Sequence, residues 1–596
     1  MKSIKRREFL EKMKRTAQTG SLIAGANYSD LMFPETTRAE EQVPDGMSVV
    51  GIAGSNDPEV SEPSPLDSLL STEQVREIVW LALDRDTSTK SLLKIVTKDS
   101  WVVIKPNLVT CPVTMTDFHA DGIEHWWLVT DLRVIKAVAE YLIMRIGPRR
   151  ITIAEGPIWY SSGGKLSKDT FEDGWHCSWQ GFGSLSYTGV VEEFNSRQDV
   201  TQVDIVDLNE DDAVYITDFD PYGTGTGAFQ DVRPGDPDGT SGKEWTKRKG
   251  IYLPKTIMER DVLITVPVLK THSSAGVTLN MKNFVGCIHS QTYGDGNSKK
   301  KIHQGSQFGL VRGIADLASA INPEYAVSEG FWATEQQHHG QNGVGLNHNV
   351  VVAGGDVVAA EAVSMMVMGY HPLDSDMLRM CHQKKLGNWH PDAIEISGPP
   401  YTELRRNFIR AVEMYFARGI RRWNVLGPLK SQVKDAAGLV PGDNSDKNAA
   451  GKETEWSVFD GDLVIDAGIN TSTPFKLQDC LLYTLPNSVG ARKGSVYYLA
   501  LKIHTDRKDL IGQLLVGIDG ADFRVFFNGR EKEYRKEPLA YDPTPIPFLK
   551  ILEGENTLVL EIKKSGRKKE EVRIAVNLCD LDGDRLADIT MVPAGE

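Results

Sequence analysis

The chain has 596 residues, too many for one ordinary hydrophobic core, so more than one folded unit is expected. It is 40% hydrophobic beside 54 glycines and 28 prolines, which excludes a wholly disordered chain. A formal net charge of −14 argues against nucleic acid as a partner, since phosphate contacts need concentrated positive charge; a local basic pocket is still compatible with it.

The N-terminus, MKSIKRREFLEKMKRTAQTGSLIAGA, is basic and sets Arg6 and Arg7 ahead of Phe9 and Leu10. The weakly apolar stretch that follows is far shorter than the roughly 20 residues a membrane span needs, so no transmembrane segment is expected. The segment resembles a twin-arginine export signal, which implies a periplasmic or extracellular location; a basic amphipathic helix is the alternative. On this basis residues 1–39 are the signal and residues 40–65, with EEQVPDG and SNDPEVSEPSP, a linker.

STEQVREIVWLALDRDT, from Ser71, opens with a Ser-x-x-Gln capping pattern and spaces its apolar residues as a helix does. In KDSWVVIKPNLV the run from Trp101 to Ile104 predicts a strand, Pro106 ends it, and Lys105 and Asn107 stand at its mouth. DLRVIKAVAEYLIMRIG predicts a helix from about Asp131, and RRITIAEGP a strand ending at Glu155 and Gly156. TQVDIVDL predicts another strand, residues 211–250 a surface insertion rich in Gly, Asp and Pro, and DVLITVPVLK a strand from Val262 to Val266. GLVRGIADLASAI predicts a helix, NVVVAGGDVVAAEAVSMMVMGY a strand, a Gly-Gly turn and a helix, and DMLRMCHQKKLG a further amphipathic segment. Short apolar strands interleaved with helices predict an α/β domain over residues 66–400, its sheet mostly parallel and its functional loops at the carboxyl edge of the strands.

Residues 401–458 read as a helix followed by a linker. Beyond them SVYYLALKIHT, QLLVGIDG, FRVFFNG, NTLVLEIKK and VRIAVNL alternate with period two, which predicts an all-β jelly roll or β-sandwich over residues 459–596.

KTHSSAGVTLNMKNFVGCIHS, after the Val262 to Val266 strand, concentrates donors where an α/β sheet usually binds ligands. Lys270, Lys282 and Lys105 would neutralise a carboxylate or phosphate, Asn107 and Asn283 would orient it, and Gly286 completes the set; a solvated loop enclosing a capped helix is the alternative. His272 is a candidate for proton exchange, and Glu155 and Asp356, each ending a predicted strand, are candidate bases over the same pocket. Helix capping would equally account for Asp356, and a turn carboxylate for Glu155.

WVVIKPNLV, RRITIAEGP, DVLITVPVLKTH with VTLNMKNFVGC, and VVVAGGDVVAAEAVSMMVMGYHP resemble, in this order, the signature segments of the domain of unknown function 362 family, over about Lys98 to Gly387. The resemblance carries that family's Lys-Pro-Asn element onto Lys105, Pro106 and Asn107, its Lys-x-His element onto Lys270 and His272, and its Lys-Asn pair onto Lys282 and Asn283. Some relatives carry a ferredoxin-like segment, but no iron–sulphur motif is written here. The family label supplies no reaction.

Metal ligation has only scattered candidates: His272, Cys287 and His289, with His119 and His125 from DFHADGIEH; whether a transition metal or any other cofactor binds is not written in these spacings. The six cysteines include no CxxC pair and read as free buried thiols, with one or two disulfides as the alternative. DLDGDRLAD, from Asp580, reads as a turn rather than a calcium loop, as it lacks the closing Glu. GIDGADFRVFFNGREKEY and FLKILEGENTLVLEIKKSG are similar to galactose-binding-like modules, which implies glycan or protein contact through Trp423, Trp456, Tyr497 and Tyr498 if those rings are exposed. The expectation is an exported protein whose α/β pocket takes a small anionic molecule, as an enzyme or as a binding or scaffold protein.

Overall fold

The computed structural model describes residues 46–108, 128–156, 185–197, 201–216, 251–273, 275–289, 307–336, 343–411, 419–420, 422–439, 456–460, 483–508, 510–534, 544–581, 585–586 and 589–593. The chain divides into two compact units, Met1–Met414 and Tyr415–Glu596. No helix among the described residues is long and apolar enough to cross a membrane.

The first unit is built on a sheet ordered β13-β1-β12-β10-β7-β2-β3-β4. These strands are β1 (Ser48–Gly54), β2 (Trp101–Pro106), β3 (Arg150–Glu155), β4 (Gln202–Asp207), β7 (Val262–Val266), β10 (Tyr325–Glu335), β12 (Val350–Gly354) and β13 (Ile394–Ser397). Neighbours pair in parallel except at β12, which runs antiparallel to both β1 and β10. The sheet is therefore mostly parallel, as expected from strands such as WVVIKP that are apolar on both faces.

α1 (Thr72–Arg85) starts in the anticipated capping box: Gln74 N–H donates to Ser71 Oγ at 3.2 Å and Ser71 N–H to Gln74 Oε1 at 2.9 Å. α2 (Leu132–Arg145) is capped by Asp131, and both helices bury their apolar faces in a core with Val102, Ile104, Ile151, Ile153, Ile264 and Val351. Each such side chain, fully buried, contributes roughly 1.5–3 kcal/mol. Three further helices, α3 (Asn280–Asn283), α4 (Gln307–Ile321) and α5 (Val357–Val367), pack together, and α5 lies against β10 and β12.

Several expectations need correction. Residues 40–65 are not simply a linker, because SVVGIAG forms β1 inside the sheet, between β12 and β13. A Cβ at Gly51 would stand 2.1 Å from the Ala82 carbonyl oxygen, so the glycine that makes the run look turn-like is what lets α1 approach the strand. No element is expected over YAVSEGFWATE, which forms β10, 11 residues long. Beyond its pairing with β7, β10 carries β8 (Val268–His272), and β8 carries β9 (Gly276–Thr278). Lys270 and His272 thus belong to a strand, not a solvated loop. The start of the 211–250 insertion forms β5 (Ala213–Ile216), which pairs with β6 (Ile251–Pro254) just beyond it; residues 217–250 lie outside the described residues.

The second unit is a β-sandwich of antiparallel sheets. Its core takes Leu499 and Leu560 from one sheet and Leu514, Ile546 and Val576 from the other. Arg422–Leu429, expected as helix or linker, is a strand of this unit and sets Trp423 in its core. Tyr497 and Tyr498 are buried too, on opposite faces of Val496–Thr505, so these three rings pack the protein and do not form an exposed platform. Trp456 is partly buried. Cys287, Cys381 and Cys579 are buried; Cys111, Cys177 and Cys480, and residues 582–584 and 587–588 of DLDGDRLAD, lie outside the described residues.

Candidate functional site

The carboxyl ends of β2, β3 and β7 meet at one edge of the sheet, with α3 beside them. Lys105 pairs in register with Thr265, so both side chains leave the sheet on the same face. The Asn283 amide, from α3, donates to the Lys105 carbonyl oxygen at 3.1 Å and to Thr265 Oγ1 at 2.9 Å, joining the two strands.

Lys105 is fully buried and all three of its donors are engaged: Glu155 Oε1 at 2.7 Å, Asn283 Oδ1 at 3.1 Å and the Pro106 carbonyl oxygen at 3.1 Å. Glu155 accepts two more bonds, from Gly156 N–H at 2.7 Å and Leu108 N–H at 3.1 Å. A carboxylate so occupied is the counter-ion of a buried lysine and is not placed as a general base. Gly286 lies against this pair: a Cβ there would stand 2.1 Å from Glu155 Oε1 and 2.6 Å from Lys105 Nζ. The glycine makes room for the ion pair rather than for a ligand.

The network continues through Asn107. Its Nδ2 donates to Asn283 Oδ1 at 3.1 Å, its Oδ1 accepts from Lys270 Nζ at 2.7 Å, and its backbone N–H donates to Thr130 Oγ1 at 2.8 Å. Lys270, also buried, donates a second bond to the Leu128 carbonyl oxygen at 2.6 Å. Burial pushes its ammonium down to about 7; the nearby Lys282 charge pushes the same way, against Glu329 and Glu155. Lys282 is half-buried, and burial brings it down to about 8. Among the described residues, no hydrogen bond or ion pair reaches the Lys282 ammonium.

His272 follows Lys270 by two on β8 and shares its face. Its Nδ1 accepts from Ala275 N–H at 3.1 Å, which sets the neutral-ring proton on Nε2. Glu329, on β10, accepts from Asp131 N–H at 3.2 Å and Phe331 N–H at 2.9 Å; burial, then the Asp131 charge, pushes it up to about 8. An isolated acid inside the apolar YAVSEGFWATE was the available signal for Glu329, and Thr130 and Thr265 offered none.

Asp356 does not join this site. β12 runs against β2, β3 and β7, so the end of β12 lies at the opposite edge, and Asp356 caps α5 by accepting from Val358 and Ala359 N–H at 3.1 and 3.0 Å. Ser48 Oγ and Asn388 N–H donate to its other oxygen at 2.5 and 2.9 Å. Cys287 is buried, while His289 donates through Nε2 to the Asp211 carbonyl oxygen at 2.6 Å. No group of three or more His, Cys, Asp or Glu able to hold a metal occurs among the described residues; His119 and His125 lie outside them.

Residues 102–366 match the model of the family described as Domain of unknown function (DUF362), in agreement with the segments that carried the resemblance. A thylakoid-associated protein, sll1697, from Synechocystis sp. is 29% identical over 157 residues, which are 25% of this chain and 44% of that protein. The chain therefore spans under half the length of this curated relative. The lactate racemase apoprotein from Thermoanaerobacterium thermosaccharolyticum aligns with 50% of this chain and 60% of its own at 13% identity, with a TM-score of 0.22. A likeness that slight says nothing of what this chain binds.

Proposed function

We propose that the first unit binds a small carboxylate or phosphate beside Lys270 and Lys282, as an enzyme acting on an anionic substrate. The observation that carries this is the pair itself: two lysines near enough to repel, one buried and one half-buried, with no ion pair to either ammonium among the described residues. Two like charges in a poorly solvated place are costly, and an anion between them would relieve both the repulsion and the lost hydration. Lys105, Glu155, Asn283 and Asn107 would then be the rigid frame that holds Lys270 in place. His272, on the Lys270 face, would move a proton.

Thermal-shift measurements with carboxylates and phosphorylated metabolites test this, since a ligand that binds only the folded state raises its stability. Lys270→Ala and Lys282→Ala should each weaken the best anion by about tenfold, roughly 1.4 kcal/mol. Bound anion favours charged lysines, so affinity should fall as pH rises through about 7 to 8, with proton uptake on binding. Affinity that is flat across this window, or unchanged in both variants, would remove the anion site. His272→Ala should lower turnover more than affinity; a binding protein without chemistry would show no turnover to lose.

We further propose export by the twin-arginine route, on the strength of KRREFL. Arg6→Lys with Arg7→Lys should block transport of the tagged protein in a bacterial host, and undiminished transport of the double variant would exclude that route.

A further inference from the structure

We infer that Glu361 is a positioning residue of the anion site: from α5 it fixes the single helical turn that carries Lys282 and Asn283. This rests on the anion site proposed above and adds the residue that holds one side of it in place.

α3 is four residues long, and an isolated turn of that length does not hold itself, because fixing its backbone costs more than its few hydrogen bonds return. Nor does it carry a cap of its own: the residue before it is Leu279, whose side chain accepts nothing. Its geometry has to come from outside. At one end Asn283 supplies it, through the bonds to the Lys105 carbonyl oxygen and Thr265 Oγ1. At the other, Asn280 Oδ1 accepts from Ser328 Oγ on β10 at 3.2 Å, and Met281 N–H donates to Glu361 Oε2 at 2.7 Å. Lys282 stands between Met281 and Asn283, so its backbone is tied to α5 on one side and to the sheet on the other.

Packing alone does not account for this carboxyl group. The other polar side chain of α5, Ser364, closes on its own helix by donating to the Ala360 carbonyl oxygen at 2.7 Å. Glu361 is fully buried, and its second oxygen, Oε1, has no hydrogen bond among the described residues. Burial pushes the group up to about 8, so it stands as the neutral acid at neutral pH. A buried carboxyl group with one bonded oxygen is a costly way to fill a helix face that leucine or methionine would fill without desolvating a polar group. What an apolar side chain could not do is receive the Met281 N–H, and that N–H belongs to the turn that carries Lys282.

The test uses the full-length protein, with affinity for malonate and for phosphate read from the rise of Tm with concentration, and backbone amide exchange over residues 279–285 read by mass spectrometry. Glu361→Gln keeps an acceptor oxygen at the same reach and should stay within about twofold of wild type in both measurements. Glu361→Asp keeps the acid but withdraws it by one methylene, and Glu361→Met removes it; each should weaken the anion by about tenfold and speed exchange in that segment. Should the Met variant not fold, the Asp variant carries the comparison. Val363→Ala, an equally buried change on the same helix, separates positioning from lost stability: it should lower Tm and leave affinity alone. Wild-type affinity in the Asp and Met variants would overturn the inference while the anion site stands. A Gln variant as weak as Asp, or a Val363→Ala variant that loses affinity equally, would overturn it too. If neither anion raises the Tm of wild type, the anion site itself fails, and this inference with it.

Discussion

The two halves of the site treat buried positive charge in opposite ways. On the β2 and β3 side, Lys105 faces a carboxylate, an amide oxygen and a carbonyl oxygen, and the Asn283 amide that braces it uses both its oxygen and its nitrogen twice. On the β8 and α3 side, among the described residues, Lys270 has an amide and a carbonyl oxygen and no ion-paired carboxylate, and Lys282 has no hydrogen-bonding partner. The first half is neutral and saturated, so it can only support. Among the described residues no ion pair cancels the charge of the second half, and that is where the proposed anion would gain most. A lysine at a strand mouth is therefore not a ligand-binding residue by type; the counter-ion decides.

Breaking the saturated half should have the largest effect. Lys105→Met strands Glu155 as a buried charge and should cost about 3–5 kcal/mol in urea unfolding, with much of the loss recovered when Glu155→Gln is added. A loss below 1 kcal/mol, on the order of an exposed pair, would mean that the pair is hydrated and the two halves do not differ. Gly286→Ala drives a methyl into the same pair and should cost about 1–3 kcal/mol. The smallest change separates the two edges of the sheet: Asp356→Ala removes the α5 cap and should lower stability by about 1 kcal/mol while leaving the anion-induced Tm shift intact. Loss of that shift would bring Asp356 back into the site.

Much of the fold was legible because its signals are local. The Ser71 capping box, the Asp131 helix start and the two-face apolar runs of β2, β3, β7 and β12 depend on residues a few positions apart, and the structure has them where the pattern placed them. β1 was hidden because its glycine serves a contact with α1, about thirty residues away, and β10 because an acid interrupts its apolar run. The approach of Lys105, Asn107, Lys270 and Asn283 followed from strand mouths of a parallel sheet. The same logic misplaced Asp356, because a strand's direction is a property of its pairing and leaves no mark on its own residues.

What the sequence by itself determined is therefore the inventory and its rough address: an α/β unit followed by a β-sandwich, and lysines, asparagines and a histidine gathered near the ends of parallel strands. Only the tertiary structure decided which lysine meets a carboxylate, which glycine makes room for that pair, and which acid caps a helix at the far edge. Those outcomes turn on a few ångströms between residues such as Lys105 and Glu155, which are 50 positions apart in the chain, and charge pairing at such distances depends on register and strand direction that no local pattern encodes.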